Sequence, residues 1–178
     1  MFFIPGYVVA TLTFPGVIVH EAAHMLFCKL RGVAVFDVCF FRSGNPSGYV
    51  VHEPPKDFLS AFLISIGPLF VNSLLCVFFC FPSSFTEKLG GRSDFLSGFL
   101  FWVGVSIGMH AFPSDLDVGN LWDQAKVAAS RFNPLAIISF PLIVAICIAN
   151  LLSVVWFDYF YGAFIGVYLP QQLLERLI

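Results

Sequence analysis

The chain has 178 residues, of which 58% are hydrophobic and 11% charged, and its net charge is −2. Soluble domains carry about 25% charged residues, so this composition excludes a water-solvated globule and makes the lipid bilayer the expected surroundings. There is no basic tail and no interleaving of basic with aromatic residues, which excludes nucleic acid as a partner. The five cysteines (Cys28, Cys39, Cys76, Cys80, Cys147) form no Cys-x-x-Cys pair and read as small buried hydrophobes.

In chain order, four apolar stretches approach or exceed the ~20 residues that a helix needs to cross ~30 Å of hydrocarbon. They run from about Tyr7 to Leu30, Phe58 to Phe81, Phe95 to Phe112, and Pro134 to at least Trp156. The aromatic segment Asp158–Tyr168 either prolongs the last helix or lies in the interface. No basic region precedes the first stretch, so it reads as a span and not as a cleaved signal peptide. The expected fold is one all-α membrane domain over 1–178, with about four transmembrane helices and a small β-hairpin between helices 1 and 2.

The hairpin is read from Val33–Glu53. Val33-Ala-Val-Phe and Tyr49-Val-Val are β-prone, and Arg42-Ser-Gly-Asn-Pro-Ser-Gly48 between them is dense in turn residues. Its apolar strands must dip into the membrane or pack on the helices, because bare backbone at that depth needs cover. Lys29, Arg31, Arg42, Lys56, Lys126 and Arg131 flank one side of the four spans, and Lys88, Arg92 and Arg176 the other. Six against three places the hairpin in the cytoplasm of a multi-pass inner or plasma membrane protein.

His20-Glu21-Ala-Ala-His24 is an HExxH pattern. Positions i and i+4 share a helix face, so both imidazoles can reach one metal ion. Zinc takes imidazole nitrogen, and a catalytic site adds a third protein ligand while leaving a position open. Glu21 stands where a base can take the proton of an attacking water. Three ionisable groups inside a spanning helix cost on the order of 2.5 kcal/mol each unless compensated. A bound dication compensates; lipid does not.

The third ligand is narrowed by topology. Helices one and three run the same way, and helix three ends in Gly108-Met-His-Ala-Phe-Pro-Ser-Asp-Leu-Asp117. Pro113 breaks that helix and lets the carboxylates that follow turn inward. Asp117 is the expected ligand, with Asp115 and His110 as alternatives.

The motifs His20–His24, Gly67-Pro68…Asn72 and His110-Ala-Phe-Pro113…Leu116-Asp117 together resemble the site-2 protease family of intramembrane zinc proteases, over about residues 14 to 122. The resemblance implies Zn2+ held by His20, His24 and Asp117 within the bilayer toward the cytoplasm. It also implies hydrolysis of peptide bonds in membrane-embedded or juxtamembrane protein substrates, and a hairpin that meets the substrate. His110 stands where the family has Asn, and Val118 where it has Gly. The Pro-to-Asp spacing is one residue shorter, the Gly-Pro-to-Asn spacing one longer, and no PDZ-like domain is present.

Asn72 is a candidate contact to substrate or to the metal ligands, and helix–helix contact is its other reading. His110 and Asp115 share that candidacy, and Val50 is expected on the strand edge that aligns substrate. His52, Asn150 and Asp158 read as interfacial or packing groups. Two other functions compete: a metal-dependent membrane transporter, and a catalytically inactive relative that binds membrane proteins. A transporter would spread polar residues through the membrane depth, and a scaffold has no need of Glu21.

Overall fold

The computed structural model describes residues 6–88 and 94–177, so Arg92 of the charge count above lies outside the described residues. Pro15 decides how the chain enters the helical bundle. Its ring has no N–H to donate and clashes with the carbonyl four residues back. The predicted first helix is therefore two: α1 (Gly6–Leu12) and α2 (Phe14–Leu30) meet at a 90° bend. Pro15 sits in the first turn of α2, where a missing donor costs nothing. At the bend, both the N–H and the hydroxyl of Thr13 donate to Val9 O, at 2.8 and 2.7 Å.

Strands β1 (Val35–Cys39) and β2 (Tyr49–His52) form the expected antiparallel hairpin, irregular between Val35 and Asp37. Arg42 holds the turn, its N–H donating to Ser47 O at 2.7 Å and its Nε–H to Pro46 O at 2.8 Å. The hairpin packs on α2.

Helix α3 (Phe58–Lys88) is the axis of the fold: 31 residues, about 46 Å long. It starts at Asp57, whose carboxylate accepts from the Ser60 N–H (2.9 Å) and hydroxyl (2.6 Å). These bonds hold the Asp57 carboxyl below the usual carboxylate range. Arg31 completes the corner, with Nη2 3.6 Å from Asp57 and Nε–H donating to Ser60 Oγ at 2.9 Å, so the end of α2 is tied to the start of α3.

The helices that follow pack around α3 or on one another. Helix α4 (Phe95–Met109) packs on the C-terminal half of α3, where a Cβ on Gly104 would stand 2.5 Å from Cys80 Sγ. It stops three residues short of the expected end. The connection expected to follow instead contains α5 (Asp115–Ser130), which packs on the N-terminal half of α3. Val118, Leu121 and Ala125 of α5 join Phe58 and Ile66 of α3 in the main buried cluster. Helix α6 (Pro134–Leu152) completes that cluster with Ala136, Ile143 and Ile146, then ends four residues before the expected Trp156 in a 3-10 turn, Ser153–Val155.

Asp158–Tyr168 does not prolong α6 but belongs to a further helix, α7 (Phe157–Leu177). Tyr161 O–H reaches Ser73 Oγ at 2.7 Å, and a Cβ on Gly162 would stand 2.5 Å from Met109 N, so α7 runs against α3 and α4. The mostly helical chain with one hairpin is thus as expected. Of the four expected spans, α3 and α6 are long and apolar enough to cross a membrane, and the bent α1–α2 pair makes a third if taken as one span.

Candidate metal centre

The centre lies where the chain's helices are interrupted. The bend at Thr13, the gap between α4 and α5 and the gap between α6 and α7 lie around one polar site. His110, in the second gap, reaches Thr13 Oγ1 through its Nε2 at 2.8 Å. The Thr13 proton is committed to Val9 O, so His110 is the donor. Asn150, at the end of α6, donates through Nδ2 to Pro113 O at 3.0 Å and to Asp115 at 3.3 Å.

On α2, His20, Glu21 and His24 are buried to 9%, 9% and 5% exposure. His20 Nδ1–H donates to His110 O at 2.7 Å, and His24 Nδ1–H donates to Ile64 O at 2.9 Å. Carbonyls only accept, so each ring carries its proton on Nδ1 and the neutral ring keeps a lone pair on Nε2. Those two Nε2 atoms face each other at 3.0 Å, and Asp117 Oδ2 lies 3.4 Å from that of His24. One donor atom from each of the three residues falls within 4.8 Å of the others.

Two imidazole nitrogens and a carboxylate converging with no proton between the nitrogens are a donor set that fits zinc in a three-ligand, open-sided site. The backbone carbonyls on the far nitrogens supply the orienting contacts that such ligands carry. Asp117 is placed by its own helix: Ser114 and Asp117 form a capping box, with Ser114 O–H donating to Asp117 Oδ2 at 2.6 Å.

Of the two alternatives to Asp117, His110 turns its ring to Thr13 and Asp115 turns to Asn150, so neither joins the cluster. Glu21 sits beneath the hairpin turn. A Cβ on Gly48 would stand 2.7 Å from Glu21 Cγ, so a side chain there would push Glu21 aside. Glu21 and His20 border two clefts. One, of about 660 Å³, lies between β2 and α5 and includes Val50, His52 and His24. The other, of about 390 Å³, is lined by Asp115, Asn150 and Asp158. His52 and Asp158 thus face the site's clefts, where the sequence suggested interfacial groups. Asn72 borders neither cleft; its amide is aimed at backbone carbonyls of α4.

Comparison with protein-family models, with curated proteins and with solved structures returned no match. The resemblance therefore rests on the sequence motifs alone.

Proposed function

We propose that this protein is an intramembrane zinc metalloprotease that hydrolyses peptide bonds of membrane-embedded or juxtamembrane substrates. The observation that carries the reading is the convergence of two lone-pair nitrogens and a carboxylate beside Glu21, at a point open to two clefts. Zinc held by His20, His24 and Asp117 would supply Lewis acidity toward water and a substrate carbonyl. Glu21 takes the proton of the attacking water and returns it to the departing amide nitrogen. Gly48 lets the hairpin turn close over Glu21, which limits access to the route through the clefts.

On this reading the chain would cross the membrane four times. Helices α4 and α5 together match the 31 residues of α3 and would form one interrupted span, while α6, long enough to cross alone, would form another beside α2 and α3. Irregular backbone at membrane depth is tolerated where it lines a wet cavity, and the α4–α5 and α6–α7 gaps both border the 390 Å³ cleft. His24 is seven residues from Arg31, which puts the metal about 10 Å inside the membrane face that the charge count assigns to the cytoplasm.

The test is zinc content and cleavage of a transmembrane reporter by purified wild type and Glu21→Gln. The variant should keep about one zinc per chain while its turnover falls about 10²–10⁴-fold. Loss of zinc in Glu21→Gln would make Glu21 a ligand, and zinc transport across vesicles without cleavage would favour a transporter.

A further inference from the structure

Asn72 is fully buried (0% exposed) in the middle of α3 and makes no hydrogen bond to His20, His24 or Asp117. Its Nδ2 donates to Ile107 O at 3.1 Å and to His110 O at 2.9 Å, with Gly16 O of α2 a longer third acceptor at 3.5 Å. Among the described residues the side-chain oxygen has no partner. This orientation is nonetheless forced, because the reverse would set an acceptor against two carbonyls.

The carbonyl of His110 is the one that orients His20. It lies just past the last turn of α4, outside any helical ladder, and it accepts from His20 Nδ1–H at 2.7 Å as well as from Asn72. Its two lone pairs are then both engaged. Asn72 fixes the direction of the carbonyl, and the carbonyl fixes the plane and the tautomer of the imidazole. With Nδ1–H committed, Nε2 keeps its lone pair toward His24 and Asp117. His24 needs no such device, because its carbonyl partner, Ile64 O, belongs to α3 itself.

We propose that Asn72 is a positioning residue for the metal: through the His110 carbonyl it holds His20 in the ring orientation and protonation that bind zinc. This inference rests on the metal reading of His20, His24 and Asp117 and not on proteolysis. It also gives a reason for an asparagine, since two donors on one planar group must reach two carbonyls of the same helix end. Outer hydrogen-bond partners of this kind contribute about 10- to 100-fold in metal affinity.

The experiment compares wild type, Asn72→Leu and Asn72→Ser, each purified in detergent and stripped of metal. Zinc affinity is read by competition with a chromogenic chelator, the visible absorption of the Co2+ form reports ligand geometry, and the thermal midpoint of the apo form reports folding. Asn72→Leu keeps the volume and loses both donors. Asn72→Ser keeps one short donor and decides the matter if the leucine variant does not fold. The expected result is zinc binding about 10- to 100-fold weaker and an altered cobalt spectrum in a variant that still melts cooperatively. Folded variants with wild-type zinc affinity and an unchanged cobalt spectrum overturn the positioning role alone. A wild type that binds neither ion overturns the metal reading with it.

Discussion

His20 Nε2 and His24 Nε2 stand 3.0 Å apart with their protons turned away from each other, onto His110 O and Ile64 O. One turn of helix brings two imidazoles within reach of each other wherever they are spaced i, i+4. What this fold adds is a backbone carbonyl behind each ring, one from just past α4 and one from α3. The pair is thereby held as two acceptors, an arrangement that is repulsive alone and favourable around a cation.

Removing the third donor should weaken that cation's hold. Asp117→Ala is expected to lower zinc affinity by at least about 100-fold, beyond the range typical of outer contacts. It should also cost about 1 kcal/mol of stability, because Asp117 belongs to the capping box that starts α5. Asp115→Ala, whose carboxylate pairs with Asn150, should leave zinc affinity within a few-fold of wild type. Equal zinc loss in the two variants would withdraw Asp117 from the ligand set.

The fold was legible in the sequence wherever one signal dominated. The apolar runs of α3 and α6 and the turn-rich segment Arg42–Gly48 each lead to the observed element. The interruptions were harder to read, since the hydropathy of α6 and the start of α7 is continuous across Ser153–Trp156. The break depends on Trp156 adopting a left-handed φ of 67°. Helix α5 had a local signal, Ser114-Asp-Leu-Asp117, which marks a helix start. That signal reads as a helix start as well as a metal ligand; Asp117 caps α5 and also lies in the cluster with His20 and His24. Motif spacing pointed to His20 and His24 and topology to Asp117 over Asp115 and His110, whereas the hydrogen bonds of Asn72 depend on where α4 ends, at Met109 and not at the expected Phe112.

Close packing where α2 meets α4 yields a stability prediction. A Cβ on Gly16 would lie 2.0 Å from Ser106 O and 2.5 Å from His110 Cδ2, and Ser106 O is backbone that cannot step aside. Gly16→Ala should therefore cost about 1–3 kcal/mol and weaken zinc binding, because it pushes away the helix end that carries His110 O. Gly119→Ala, with open space around the added carbon, serves as the control and should be neutral or stabilising by about 0.5–1 kcal/mol. Matching melting curves for the two variants would count against the tight α2–α4 contact.

Sidedness is open to cysteine labelling in a background lacking the native cysteines. Ser43 and Ser130 are exposed at the site end of the bundle, and Lys88 at the other end. Ser84, on the same side as Lys88, is buried and would label poorly whatever its side. An impermeant thiol reagent added to intact cells should reach Lys88→Cys, and should reach Ser43→Cys and Ser130→Cys only after lysis. Labelling of Ser43→Cys and Lys88→Cys from one side would break the four-crossing arrangement.

The hairpin offers the most demanding test, since it needs a substrate. A peptide bond inside a transmembrane helix is shielded by its own hydrogen bonds and must be unwound before it can be attacked. Among the described residues strand β2 is paired on one edge only, with β1, and Tyr49–His52 border the cleft that holds His20, Glu21 and His24. A free edge beside the site can take up the released amides by β-augmentation, without requiring a particular side-chain sequence. Successive N–H groups of a strand point to opposite edges, so of Val50 and Val51 one donates toward β1 and the other toward the cleft. Proline at the cleft-facing position removes a donor to substrate, and proline at its neighbour disrupts the hairpin. Val50→Pro and Val51→Pro should both keep zinc. Both should cleave a helical transmembrane substrate more slowly, by about 3- to 10-fold for one lost main-chain bond. The variant whose hairpin survives should still cut a short, already extended peptide at the wild-type rate. Undiminished cleavage of the helical substrate by both variants would take the β2 edge out of substrate binding.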